Sequence, residues 1–95
     1  MRHLITLRDS YVRQATGFQF RIKALLLLEG IPFPDERGRW TTCTWAALRE
    51  LSCAGAIRFK LDRLISMATF ANEQARQTAR EIYRFCKANE EISHN

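Results

Sequence analysis

The chain has 95 residues, 46% of them hydrophobic, 11% aromatic and 26% charged; this is one domain's worth of ordinary globular composition, which excludes a disordered tail, a collagen-like repeat and a disulfide scaffold. Fifteen Lys and Arg against ten Asp and Glu leave a formal charge of +5, and most of the bases are arginine, whose planar fork suits phosphate, so the balance leans toward nucleic acid. The longest apolar run, Ala24 to Leu28, falls far short of the roughly 20 residues of a membrane span, and charge interrupts the N-terminus before any signal-like stretch, so the expectation is a cytoplasmic chain with no membrane partner.

The apolar residues Leu4, Leu7, Tyr11, Ala15, Phe18, Ile22 and Leu25 follow steps of three and four, one stripe along a helix. The spacing predicts a first helix from about residue 2 to 29. Gly17 inside it marks either a close helix contact or a mild bend. Gly30 is placed as a C-terminal stop, and Pro32 and Pro34 prevent continuation.

Residues 35–43 mix a glycine with charges of both signs and show no periodicity, so they read as a loop. Its Trp40 either pins the loop to the core or joins Arg37 and Arg39 in a basic-aromatic cluster able to touch a backbone and stack a base. Thr42 or Thr44 is suited to cap a short helix carrying Trp45, Leu48 and Leu51 and stopping at Ala54-Gly55. Trp45 is expected in the core.

From Leu61 the series Leu64, Ala68, Ala71, Ala75, Thr78, Ile82, Phe85, Asn89 and Ile92 alternates steps of three and four in a heptad register. The predicted helix runs from about 57 to 89, a rod of roughly 50 Å beside a first rod of roughly 40 Å. The small seam residues Ala68, Ala71 and Ala75 admit a close partner, with Leu61, Leu64, Ile82 and Phe85 packing on either side. The fold class is therefore all-α: an antiparallel, coiled-coil-like hairpin of two long helices with a short helix inserted between them. The whole of 1–95 forms a single module. A bare hairpin leaves an amphipathic face open, so a homodimer is expected.

Chemistry is sparse. His3 and His94 lie at opposite termini, and Cys43, Cys53 and Cys86 match neither a zinc nor a redox spacing and read as reduced, buried small hydrophobes. No phosphate loop, serine elbow or paired-carboxylate motif occurs, and Glu90-Glu91 reads as a solvated helix end, so no catalytic residue, metal, cofactor or small-molecule substrate is expected. The bases carry more information. Arg76, Arg80, Arg84 and Lys87 follow steps of four, four and three on one helix face, where like charges oppose the helix by a few tenths of a kcal/mol per pair. Two readings stand: a solvated face balanced by Glu73 and Glu81, or a contact surface for an acidic polymer. Arg13, Arg21 and Lys23 flank the stripe of the first helix and are candidates for the same role.

The run from Leu7-Arg8-Asp9-Ser10-Tyr11-Val12-Arg13 to Thr16, with Arg21-Ile22-Lys23-Ala24-Leu25 to Gly30-Ile31, resembles the region after the nuclease-like domain of DEDD-type insertion-sequence transposases. These are relatives of Piv-type DNA invertases, some of them guided by a bridge RNA. Phe59-Lys60-Leu61-Asp62-Arg63-Leu64-Ile65 and Glu81-Ile82-Tyr83-Arg84-Phe85-Cys86 resemble the long helix preceding that family's C-terminal domain. Family members commonly carry Asn-Arg where this chain has Phe20-Arg21. The resemblance implies an internal helical linker of a DNA transposase, part of a larger protein, that mediates subunit assembly and touches DNA or structured RNA through residues such as Arg21. The family's acidic quartet and serine belong to flanking domains, so the resemblance implies no recombination activity for this piece alone. The alternative is a purely structural dimerisation module that ignores nucleic acid.

Overall fold

A computed structural model describes the backbone of residues 2–93 and the side chains of residues 2–88. The helices are α1 (Arg2–Leu28), α2 (Thr42–Glu50) and α3 (Gly55–Ser93), and no strand occurs among the described residues. The expectation for His94 lies outside the described residues, as do those for the side chains of Asn89, Glu90, Glu91 and Ile92, while the backbone of α3 continues past the expected end near residue 89 to Ser93. No described helix is long and apolar enough to cross a membrane.

The first helix ends where glycine was expected to end it. Gly30 takes φ +67°, the Gly30 N–H donates to the Leu27 carbonyl at 3.2 Å, and the Ile31 N–H donates to the Leu26 carbonyl at 2.9 Å. These two bonds form a Schellman stop, which satisfies carbonyls the helix leaves open. Ile31 packs against the core that contains Leu26, so the turn also fixes the direction in which the chain leaves. Gly17 marks no close helix contact: a Cβ there would meet nothing within 4 Å, and α1 runs through it.

The loop is built on Asp35. Its carboxylate accepts the N–H of Arg37 at 3.1 Å and of Arg39 at 2.9 Å, while its carbonyl accepts the N–H of Gly38 at 3.0 Å. Gly38 takes φ +70°, a left-handed conformation suited to glycine. The cap of α2 is Thr41 rather than Thr42 or Thr44. Thr41 Oγ1 accepts the Thr44 N–H at 3.2 Å, and the Thr44 hydroxyl donates to the Arg39 carbonyl at 2.9 Å. Thr44 is thus the donor position of the cap, three residues into the motif, and its hydroxyl ties the helix to the loop.

The helix α2 also ends sooner than expected, at Glu50, and α3 begins at Gly55. Arg58 Nη1 accounts for the break: it donates to the Leu48 carbonyl at 3.0 Å and to the Leu51 carbonyl at 2.8 Å. Its Nε meets Asp62 Oδ1 at 3.0 Å, and Nη2 pairs with the same carboxylate. That hydrogen bond to Asp62 raises the Arg58 pKa against the opposing effect of burial. One side chain of α3 therefore closes the C-terminus of α2.

The two long helices pack along one another as an antiparallel hairpin, the C-terminal half of α1 against the N-terminal half of α3. Ile22, Leu25 and Leu26 of α1 meet Leu61, Leu64 and Ile65 of α3, and α2 inserts Leu48, which is wholly buried. Ala15 on α1 and Ala68 and Ala71 on α3 are buried, so the close approach those small residues permit is realised within the chain. Thr78 is buried with its hydroxyl donating to the Gln74 carbonyl at 2.7 Å. Ala75 and Ile82 are half-buried, while Phe85 is exposed. A groove that brings Arg8 and Val12 beside Ala75 and Ala79 sets the register, and by that register Phe85 lies level with the start of α1, where cover runs out.

The molecule is a rod of 61 × 21 × 17 Å. Its longest dimension is that of α3, whose 39 residues span about 58 Å at 1.5 Å per residue.

Candidate nucleic-acid interface

The loop, α2 and α1 meet in an aromatic seam. Phe33 and Trp40 pack edge to face at 5.0 Å between centroids, and Trp40 lies 4.6 Å from Trp45. Trp40 therefore anchors the loop, and it does so as part of a wall that still reaches the surface, being half-buried. Lys23 completes the seam: its ammonium donates to the Gly38 carbonyl at 3.0 Å and lies 4.9 Å from the Phe33 ring centroid and 5.7 Å from that of Trp40. The charge of Lys23 is engaged in holding the loop against α1, which sets it apart from the exposed bases.

The remaining sequence-predicted bases are exposed, and the structure distributes them over separate faces. Arg13, nine residues before the buried Ile22, points half a helical turn away from α3 and lines a shallow depression with Thr6, Ser10 and Gln14. Arg21 lies 5.5 Å from the Phe18 ring centroid. Arg37 and Arg39 stay with Asp35 in the loop, Arg39 through an ion pair at 3.5 Å. The N–H of Arg39, and its guanidinium, hold the Asp35 carboxyl below its ordinary value against the opposing effect of desolvation. Arg76, Arg80, Arg84 and Lys87 form the expected row on α3. Arg76 meets Glu73 at 3.6 Å and Arg84 meets Glu81 at 3.3 Å, while Arg80 pairs with no carboxylate among the described residues. These pairs are largely exposed, so each stabilises the helix by well under about 1 kcal/mol and leaves the arginines free to exchange partners.

Two arginines that the sequence analysis passed over complete the positive surface. Arg49, in the last turn of α2, faces Arg76 across a cleft of about 180 Å³. Arg8 of α1 lines the adjoining groove, which shares Trp45, Asn72 and Arg76 with the cleft and also has Trp40 in its wall. Arg76 thus stands between two adjoining concavities, with Arg49 on the first and Arg8, which pairs with Asp9 at 3.4 Å, on the second, and Trp45 lines both. The signal for Arg49 was present: Thr42, Trp45 and Arg49 share a helical face by their spacing of three and four. Arg8 lies just four residues before Val12 on the same edge of α1, but only the hairpin register brings that edge to Arg76.

The thiols differ from expectation. Cys43 and Cys86 are exposed and Cys53 is half-buried. Cys43 is in the first turn of a helix that turns Thr44 and Leu48 inward, and Cys86 lies beyond the stretch of α3 that α1 covers. Among the described residues no group of three or more His, Cys, Asp or Glu is arranged to hold a metal ion.

Comparison with known proteins finds no matching family model, no matching curated protein and no matching solved structure.

Proposed function

We propose that this chain is a nucleic-acid-contacting helical module that works by binding rather than by chemistry, and that it serves as an internal linker of a DNA transposase. The observation that carries the binding reading is the placement of Arg49 and Arg8 on two adjoining concavities that share Arg76 and Trp45, continued along α3 by Arg80, Arg84 and Lys87. Arginine forks suit phosphate oxygens, and exposed indole faces accept bases whatever their sequence. The transposase part of the proposal is supported by the resemblance of the α1 and α3 segments described above.

Binding of this kind releases counterions, so the logarithm of the affinity falls linearly with the logarithm of salt concentration. The test is fluorescence anisotropy with duplex DNA and with a structured RNA across a salt series. The Arg80→Glu/Arg84→Glu variant is expected to weaken binding and flatten the slope while retaining the helical circular dichroism of the parent. Unchanged affinity removes the α3 row from the interface.

A second role, self-association, has its own support. The accessible surface is 7094 Å², against about 5,700 Å² for a compact monomer of this mass, and Met67, Phe70 and Phe85 stand exposed on α3. Pairing of two hairpins covers such surface. Sedimentation with and without RNA separates the roles: a dimer indifferent to RNA supports a purely structural module, and a monomer in both conditions counts against assembly.

A further inference from the structure

We infer that the cleft between α2 and α3 is a slot for one unpaired nucleobase, with the flanking phosphates held by Arg49 and Arg76. The inference rests on the nucleic-acid reading above and narrows it from a charged surface to a site that distinguishes single strands from duplexes.

The cleft has two walls of different chemistry. On α2, Thr42, Trp45 and Arg49 stand at steps of three and four; on α3, Thr69, Asn72 and Arg76 do the same. Its volume of about 180 Å³ is below the roughly 300–1,000 Å³ of pockets that enclose whole drug-sized ligands, so it suits a single planar ring system rather than a complete nucleotide. Trp45 is half-buried and packs against Trp40 at 4.6 Å between centroids, a contact that restrains its indole as a surface for stacking. Asn72 forms no hydrogen bond among the described residues, and its amide offers a donor and an acceptor side by side, the pattern that matches the edge of a base. The Thr69 hydroxyl donates to the Ile65 carbonyl at 2.6 Å, so its oxygen is left as an acceptor. Glu73 also lines the cleft and engages Arg76 at 3.6 Å; an arriving phosphate competes for that guanidinium, while the carboxylate remains as an acceptor for an exocyclic amine.

A base paired inside a duplex presents no free face to Trp45, whereas an unpaired base in a single strand or an RNA loop does. The arginines set the strand along the rim, and the slot selects the unpaired state.

The test uses the full chain and three probes of equal length: a single-stranded oligonucleotide, the same strand with its bases removed, which carries the same charge, and the fully paired duplex, which carries about twice that charge. DNA and RNA versions of the single strand determine whether the ribose matters. The expected result is about 10-fold tighter binding of the intact single strand than of the abasic strand. In the Trp40→Phe variant, whose remaining indole is Trp45, the intact strand quenches the fluorescence and the abasic strand does not. Asn72→Ala, a substitution at a half-buried helix position where alanine favours helix, is expected to reduce affinity for the intact strand about 10-fold and to leave abasic and duplex binding unchanged. Equal binding of intact and abasic strands, or an Asn72→Ala effect common to all three probes, overturns the slot while leaving the backbone reading in place. Absence of binding to any probe at low salt overturns both.

Discussion

Replacing Arg58 by alanine tests whether a single side chain determines where α2 ends. Arg58 Nη1 spans the Leu48 and Leu51 carbonyls at 3.0 and 2.8 Å, and those carbonyls belong to the C-terminal turn of a nine-residue helix, too short to persist without support. Hydrogen bonds from a charged donor contribute about 1.5–3 kcal/mol each when buried. The Arg58 side chain is 22% exposed and water can reach Leu51, so the net loss for the pair is about 2 kcal/mol. At about 4–8 °C per kcal/mol for a domain of this size, the melting temperature is expected to fall by roughly 10 °C. The ion pair contributes little by comparison, because Asp62 is 57% exposed and an exposed pair is worth under about 1 kcal/mol. Asp62→Asn is therefore expected to be nearly neutral. Arg58→Lys, which keeps the charge without the fork, should fall between the two. Thermal denaturation by circular dichroism gives the ranking, and amide exchange of the α2 residues shows whether that helix loosens first. If Asp62→Asn destabilises as much as Arg58→Ala, the carbonyl bridge is not the cause and the reasoning fails.

Leu48→Ala should destabilise by about 2–5 kcal/mol, since Leu48 is wholly buried and is the residue through which α2 enters the hairpin core; a loss below about 1 kcal/mol in chemical denaturation would show that α2 is not integral. Gly30→Ala should cost about 1–2 kcal/mol through the left-handed conformation alone, because an added Cβ meets no neighbour; an unchanged midpoint in urea would contradict the Schellman stop. The Asp35 carboxyl, depressed first by the Arg39 N–H, contributes stability that is complete above the ordinary carboxylate range and is lost as the pH falls through its depressed value. Carboxyl carbon NMR is expected to report a midpoint below that of a free aspartate, and Asp35→Asn should remove the transition; a midpoint at or above the free value would refute the loop geometry.

Element identity and direction were legible because both long helices carry a regularly spaced, mainly apolar stripe, and because Gly30 followed by Pro32 and Pro34 leaves α1 no way to continue. The seam residues Leu61, Leu64, Ala68 and Ala71 could be named in advance for the same reason: a periodic pattern depends only on neighbours along one helix, and they are buried against α1. Boundaries were less legible. The end of α2 depends on Arg58, ten residues beyond Leu48, and its cap depends on a hydroxyl network through Arg39.

The candidate site divides along the same line. The row Arg76, Arg80, Arg84 and Lys87 is a one-helix spacing and was visible in the sequence, whereas the role of Lys23 was not, since its partners Gly38, Phe33 and Trp40 reach it only when the loop folds back. The placement of Arg8 and of Arg49 on either side of Arg76 requires the antiparallel register and the seating of α2 by Leu48 together. Periodicity assigns a residue to a face of its own helix, and it carries no information on which faces of other helices arrive beside it. That is decided by how the buried side chains of the three helices fill one core.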